Sequence, residues 1–173
     1  MSKRGAIKTT KEQIIEYWSG RVHEWDLSID FSEAGERCWR CAYKTKLERC
    51  HIVPHSLGGP DMPNNYVLLC KLCHAEGPNV EDSEFFWDWL KAHKASFYDT
   101  YWIIRGMQEY EFVYKKSFEK ELEELGPLDL SQQDVNELVQ KKLKQGSWHF
   151  GQLRMNPATI AGLLRLVLME LRD

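Results

Sequence analysis

The chain has 173 residues, of which 43% are apolar and 12% aromatic, so it holds enough apolar side chains for a folded core. We see neither an apolar run of the roughly 18 residues that a membrane helix needs nor the apolar segment of a signal peptide. The formal net charge of −3 argues against a protein that coats nucleic acid through charge alone.

The charge is unevenly distributed along the chain. Residues 36–80 carry 6 basic and 4 acidic residues, whereas residues 81–145 carry 9 basic and 14 acidic residues. A positive segment on an otherwise acidic chain fits a local phosphate-binding surface.

Near the N-terminus, residues 10–25 have the pattern of an amphipathic helix. Thr10 and Gln13 have the spacing of a capping box, and apolar residues recur behind them at helical intervals. A turn-rich stretch follows. We therefore assign residues 1–35 to an N-terminal helical extension.

Two Cys-x-x-Cys pairs follow, Cys38/Cys41 and Cys70/Cys73. Four thiolates are the ligand set of a closed, tetrahedral structural zinc site, and a module this small needs such a metal to fold. The alternative, four cysteines that only fill the core, fits two regularly spaced pairs less well. Because the five cysteines are an odd number and we predict no export signal, we expect metal ligation in a reducing cytoplasm rather than disulfides.

The segment between the pairs has the pattern of a ββα unit. We predict a strand within residues 43–54, a second strand around 66–69 and a short helix that begins near 70–74. The loop between the strands is dense in Gly, Pro and Asn, and we interpret Gly58-Gly59 as loop geometry. Gly77-Pro78 should end the helix early.

Several separate elements of residues 36–80 stand in a characteristic order: His-Ile-x-Pro, then Gly-Gly, then Asn-x-x-Leu-Leu-Cys-x-x-Cys-His. This order resembles the HNH (ββα-metal) endonucleases, in the branch whose core is held by a four-cysteine zinc. The resemblance implies hydrolysis of phosphodiester bonds, mostly in DNA, with one catalytic divalent cation.

Three residues of this segment are candidates for catalysis. His51 is the predicted general base, because an imidazole changes charge near neutral pH and can accept a proton from water. The resemblance implies that His74 binds the catalytic metal and that Asn65 ties the loop together and orients the base. Asn64 is the competing choice for that asparagine, with a turn residue as the plainer interpretation.

One position departs from the family pattern. Cys50 stands where most members have an Asp or a His that binds the catalytic metal. Three interpretations stay open: Cys50 binds as a thiolate, His55 or Asp61 takes its place, or His74 and water hold the ion. A thiolate would favour Zn²⁺, Mn²⁺ or Ni²⁺ over Mg²⁺. The expected cofactors are therefore a structural Zn²⁺ and a catalytic Mg²⁺, Mn²⁺, Ni²⁺ or Zn²⁺.

Basic residues around this segment are candidates for contacts with DNA phosphates, although scattered Lys and Arg can equally mark a solvated face. The candidates are Arg40, Lys44, Lys46, Arg49 and Lys71.

The remaining chain, residues 81–173, is predicted to be a mainly helical C-terminal region. Ser83, Ser131 and Asn156 have the sequence context of helix N-caps. The apolar stripe of the last helix, from Ile160 to Leu171, predicts either core packing or a homodimer interface.

Together these patterns predict an α+β fold in which a zinc-stapled ββα-metal (HNH) core is embedded in a mostly helical chain. The first functional hypothesis is a cytoplasmic, metal-dependent endonuclease whose partner is DNA and not a membrane. The alternative is a catalytically inactive, zinc-stabilised module that binds nucleic acid or a protein partner. A thiol enzyme that uses Cys50 beside His51 is a weaker third hypothesis, because adjacent strand residues point to opposite faces.

Overall fold

The computed structural model describes residues 6–23, 26–92, 95, 97–126, 131–146 and 155–172. In these ranges the chain forms seven α-helices and one two-stranded antiparallel sheet, which confirms the mostly helical α+β prediction. The elements are α1 (Lys11–Ser19), β1 (Leu47–His51), β2 (Tyr66–Cys70), α2 (Lys71–Glu76), α3 (Ser83–Ala92), α4 (Tyr101–Tyr114), α5 (Phe118–Glu124), α6 (Gln132–Gln145) and α7 (Pro157–Arg172).

The chain divides into two compact units, Met1–Tyr101 and Trp102–Asp173. The first unit therefore contains α1 and α3 together with the predicted nuclease core, whereas the sequence patterns predict boundaries after residues 35 and 80. Among the described residues, no helix is long and apolar enough to cross a membrane.

Helix α1 starts where the sequence predicts it. The hydroxyl of Thr10 accepts a hydrogen bond from the N–H of Gln13, and the side chain of Gln13 accepts one from the N–H of Thr10. The helix ends at Ser19 and is shorter than the predicted range of 10–25, of which residues 24 and 25 lie outside the described part of the chain. Gly20 follows Ser19, and glycine has a low helix propensity because its backbone loses the most conformational entropy.

The two strands pair over their full length, with His51 opposite Tyr66 and Leu47 opposite Cys70. The strand β1 is shorter than the predicted range of 43–54. Tyr43 is instead part of a turn, because its carbonyl accepts a hydrogen bond from the N–H of Cys38 at 3.1 Å. Beyond His51 the chain turns away into a loop.

Helix α2 follows β2 without an intervening residue. The sulfur of Cys70 accepts a hydrogen bond from the N–H of Cys73 at 3.4 Å and so caps the helix. The helix ends at Glu76, before Gly77-Pro78, as predicted.

The residue that caps the N-terminus of helix α3 lies one position earlier in the chain than predicted. The carboxylate of Asp82, not the predicted Ser83, accepts hydrogen bonds from the N–H groups of Glu84 and Phe85 at 2.9 and 3.0 Å. Ser83 is the first residue of the helix itself.

In the second unit, the two helix caps that the sequence predicts are present. Ser131 and Asp134 form a capping box at the start of α6, and the side chain of Asn156 accepts a hydrogen bond from the N–H of Thr159 at the start of α7. On α7, Ile160, Leu164, Val167 and Leu168 are buried within this unit. The apolar stripe is thus used for core packing, and the homodimer stays a prediction.

The loop after β1 depends on two consecutive glycines. Gly58 has a φ of +89°, in the left-handed region that favours glycine. A Cβ atom on Gly59 would lie 1.8 Å from the carbonyl oxygen of Val53 and 2.7 Å from the Nδ2 of Asn65. Glycine at both positions is therefore required by loop geometry, as the sequence indicated.

We predict that Gly59→Ala lowers the free energy of unfolding by about 3 kcal/mol or more, because the added methyl group meets backbone that must move. Gly20→Ala is the matched control, since its Cβ would meet nothing within 4 Å, and we expect a change within about 0.5 kcal/mol. Denaturant unfolding followed by tryptophan fluorescence measures both. Equal stability of the two variants would contradict this account of the loop.

Candidate active site and metal centre

Four buried cysteines form the centre of the first unit. The Sγ atoms of Cys38, Cys41, Cys70 and Cys73 all lie within 4.8 Å of one another. Zinc–sulfur bonds of about 2.3 Å in a tetrahedron place the sulfur atoms about 3.8 Å apart, and those of Cys41 and Cys70 are 3.9 Å apart. The cluster is therefore positioned to bind a metal ion.

The electrostatics of the cluster also fit a cation. Hydrogen bonds from Cys38, Cys41 and Cys73 lower the pKa of Cys70. Hydrogen bonds with Cys38 and Cys70, together with burial, raise the pKa of Cys41 and of Cys73. Four buried sulfur atoms this close together cannot all become thiolates unless a positive charge lies between them. The donor set supplies the soft ligands that such a cation prefers.

Local backbone geometry brings the first pair of cysteines into place. The N–H of Ala42 donates to the carbonyl of Cys38 at 2.8 Å, and Ala42 has a φ of +62° that closes the turn. The N–H of Trp39 donates to the carbonyl of Leu68 at 3.0 Å, which attaches this turn to β2. The second pair follows directly at the end of β2 and the start of α2.

His74 contacts Glu48, a residue that is not among the sequence-predicted site residues. Its Nδ1 lies 2.8 Å from Oε2 of Glu48, and the two side chains are 37% and 43% exposed. Strand alternation places Glu48 on the same face of β1 as Cys50. Strand alternation could have indicated Glu48, because it places this carboxylate on the same face of β1 as Cys50, and the position of Cys50 is the one at which the family pattern has a metal ligand.

Cys50 is enclosed within the fold. It is 4% exposed, and burial raises its pKa to about 12, with the negative charges of Cys38 and Glu48 adding to the shift. Its sulfur lies near the backbone of Gly77, and it is not a member of the four-sulfur cluster. At neutral pH Cys50 is therefore a buried thiol.

His51 is the last residue of β1 and is half-buried. Its ring centroid lies 4.5 Å from that of Tyr66, the residue opposite it in the sheet. The pleat directs His51 to the face opposite that of Glu48 and Cys50. His51 thus stands at the end of the hairpin, where the paired strands give way to the loop.

Asn65 is the asparagine that ties the loop to the strands. Its side chain is 5% exposed and makes three hydrogen bonds: Oδ1 accepts from the N–H of Val53 at 2.9 Å, and Nδ2 donates to the carbonyls of Val53 and Pro60 at 3.0 Å each. Val53 is two residues beyond His51, so these contacts fix the path of the chain directly after the candidate base. Asn64 is exposed.

The alternative ligands at the loop have other positions and contacts. Hydrogen bonds from the backbone N–H of Lys8, from Thr9 and from the hydroxyl of Tyr66 lower the pKa of Asp61 to about 2. Asp61 thus anchors the segment before α1. His55 is exposed in a short 3-10 turn.

Two of the five candidate phosphate-binding residues, Arg40 and Arg49, contact groups of the protein itself. Arg40 is 2% exposed, forms an ion pair with Glu76 at 2.5 Å and lies 4.1 Å from the centroid of Trp89. The expectation that Arg40 contacts a phosphate is therefore corrected, because its guanidinium is enclosed by its own unit. Arg49 donates to the carbonyl of Thr9 at 2.6 Å.

The three lysines among the candidates are exposed. Lys44 pairs with Glu36 on the surface, and such an exposed pair contributes little and exchanges readily with other partners. Lys46 and Lys71 lie on either side of the hairpin in the chain, before β1 and after β2.

Residues 36–77 match the model of the family described as HNH endonuclease. The match confirms the resemblance and contains the four clustered cysteines, His51, Asn65 and His74. It covers less than half of the chain. No curated protein and no solved structure matches the chain.

We predict that Cys70→Ser abolishes metal binding and unfolds the first unit, because binding free energy at such a site is folding free energy. Cys50→Ala should retain one equivalent of metal per chain, since Cys50 lies outside the cluster. Elemental analysis of the purified variants measures the metal, and far-UV circular dichroism measures the fold. Loss of the metal from Cys50→Ala, or its retention by Cys70→Ser, would show that the ligand set is different.

We predict that Asn65→Ala lowers the free energy of unfolding by about 2–4 kcal/mol, because it leaves the backbone groups of Val53 and Pro60 without their partners. Asn64→Ala, at the exposed neighbouring position, should change it by less than about 0.5 kcal/mol. Denaturant unfolding with the metal kept bound measures both. Equal losses of unfolding free energy in Asn65→Ala and Asn64→Ala would contradict the conclusion that the side chain of Asn65 holds the loop.

Proposed function

We propose that the protein is a metal-dependent endonuclease that hydrolyses phosphodiester bonds in DNA. The match of residues 36–77 to the HNH endonucleases carries the proposal. It is supported by the position of the three polar residues of the motif: His51 at the end of β1, Asn65 clamping the following loop, and His74 beside a four-cysteine cluster.

In this proposal His51 is the general base. It takes a proton from the attacking water as the water oxygen bonds to phosphorus. The bond to the 3′ oxygen breaks, and the released 3′ oxygen takes a proton from solvent water. The products carry a 5′-phosphate and a 3′-hydroxyl. Positioned proton transfer of this kind contributes about 10²–10⁴-fold to a rate. Asn65 supports it indirectly, because it fixes the backbone that directly follows His51.

His74 is proposed to hold the catalytic divalent cation. Such an ion, when bound, neutralises charge on the phosphate and on the leaving oxygen. The imidazole of His74 is partly exposed beside the carboxylate of Glu48. This imidazole nitrogen, together with water and phosphate oxygens, would suit Mn²⁺, Ni²⁺ or Zn²⁺, and Mg²⁺ would bind mainly through the oxygens. The four cysteines are proposed to bind a structural Zn²⁺, which they would enclose completely.

Strand alternation places His51 on the face of β1 opposite Glu48, the residue that contacts His74. We therefore place the substrate phosphate at the end of β1, where it can reach both histidines. We assign phosphate contacts to the exposed residues Lys44, Lys46 and Lys71. Neither Arg40 nor Arg49 is included, because both are held by groups of the first unit. With so few exposed cations, binding should depend on a small number of phosphate contacts.

One observation favours a second candidate function. Cys50 occupies the position of a family metal ligand and is buried. A module that lacks the catalytic cation would still keep its fold through the cysteine cluster and could bind nucleic acid or a protein partner without cleavage.

We predict that the protein converts supercoiled plasmid to nicked or linear DNA in the presence of a divalent metal and that EDTA abolishes the reaction. His51→Ala should lower the rate about 10²–10⁴-fold. His23→Ala is the matched control, because His23 is an exposed histidine outside the segment that matches the family model, and we expect it to stay within about twofold of the wild type. Mg²⁺, Mn²⁺, Ni²⁺ and Zn²⁺ are tested separately.

Absence of cleavage with every metal, together with retained salt-sensitive binding of DNA, would refute the nuclease and support the binding module. Equal loss of activity in His51→Ala and His23→Ala would refute the assignment of the base. Circular dichroism of each variant separates these results from unfolding.

A further inference from the structure

The contact between Glu48 and His74 joins two parts of the first unit that are fixed independently. Glu48 lies on β1, opposite Leu69 in the sheet. His74 lies on α2, directly after Cys73, whose position is set by the four-sulfur cluster. Ion pairs between fully exposed side chains are weak. Glu48 and His74 are only partly exposed, and the backbones of both residues are held. The contact at 2.8 Å is therefore a defined geometric feature of the site.

The contact also determines which ring nitrogen remains available. Glu48 faces Nδ1 of His74, so a neutral imidazole that donates Nδ1–H to the carboxylate keeps a lone pair on Nε2. Histidines that bind metals commonly donate their other N–H to a carboxylate, which fixes the ring and makes it a better donor. We propose that Glu48 is a positioning residue that holds His74 in the Nδ1–H form, with Nε2 presented to the catalytic cation; this inference rests on the proposed function.

The distance fits this role better than direct ligation by Glu48, and the affinity test below separates the two. Two ligand atoms at about 2.1 Å from one ion, at right-angled or tetrahedral geometry, are separated by about 3.0–3.4 Å. The observed 2.8 Å is instead the length of a hydrogen bond between a nitrogen and a carboxylate oxygen. Cys50, on the same face of β1, is buried and supplies no oxygen.

The first test reads the tautomer directly. Nitrogen-15 NMR of the full chain, with metal in the cysteine cluster and no added divalent ion, is recorded at about pH 8.5, where histidine is neutral. The wild type should show His74 with its proton on Nδ1, and Glu48→Ala should shift the proton toward Nε2. The spectrum of His74→Ala assigns the signal.

The second test measures binding of Mn²⁺ by calorimetry, since Mn²⁺ binds thiolates more weakly than Zn²⁺ does and leaves the metal of the cysteine cluster in place. Glu48→Ala should weaken binding about 10–100-fold. Glu48→Gln should recover most of that loss, because its amide oxygen can still accept Nδ1–H. Glu16→Ala removes the same charge from an exposed site on α1 and should change binding by less than about twofold.

Three results would overturn parts of this account, and each is distinguishable. An unchanged tautomer and unchanged affinity in Glu48→Ala would refute the positioning role while leaving the nuclease intact. Equal losses of affinity in Glu48→Ala and Glu48→Gln, with the His74 tautomer retained, would make Glu48 a ligand instead. A wild type that binds no Mn²⁺ would refute the proposed catalytic site itself, whatever the tautomer shows.

Discussion

The cluster of four cysteines is the constraint on which the first unit depends. It joins the turn after residue 37 to the end of β2 and the start of α2. Cys70 serves twice, because its sulfur also caps α2. Since His74 follows Cys73 directly, the same cluster sets the position of the candidate metal ligand. The fold and the site are therefore stabilised by one group of contacts, and loss of the cluster removes both.

A second constraint acts at the other end of the hairpin. Asn65 binds both polar groups of the Val53 peptide, and Gly59 allows the loop to pass at a distance that no side chain would tolerate. These contacts use uncharged groups around the buried side chain of Asn65, so they hold the loop without depending on salt or pH. His51 lies between this clamp and the paired strand. Its backbone is thus fixed from both sides, which is the condition for a base that must meet a substrate in one orientation.

Local patterns predicted much of this arrangement. The Cys-x-x-Cys spacing, the Thr10 capping box and the Gly77-Pro78 stop each depend on residues near one another in the chain, and the structure contains them as expected. The errors concern contacts between distant segments. The charge of Arg40 suggested a surface role, but its place between Glu76 and Trp89 follows from how α2 and α3 pack, which composition does not encode. The contact of Glu48 was missed for the same reason.

The two positions Glu48 and Cys50 decide how this site differs from the family pattern. They share one face of β1 two residues apart, so a carboxylate is present beside His74 although the expected position holds a thiol. Because Cys50 is buried, replacing the usual Asp or His there exchanges a solvated ligand for core packing against Gly77. A cation at His74 would then have fewer protein ligands and more water in its coordination shell. Such a site binds its metal more weakly, and its affinity depends more strongly on how well the single imidazole is oriented.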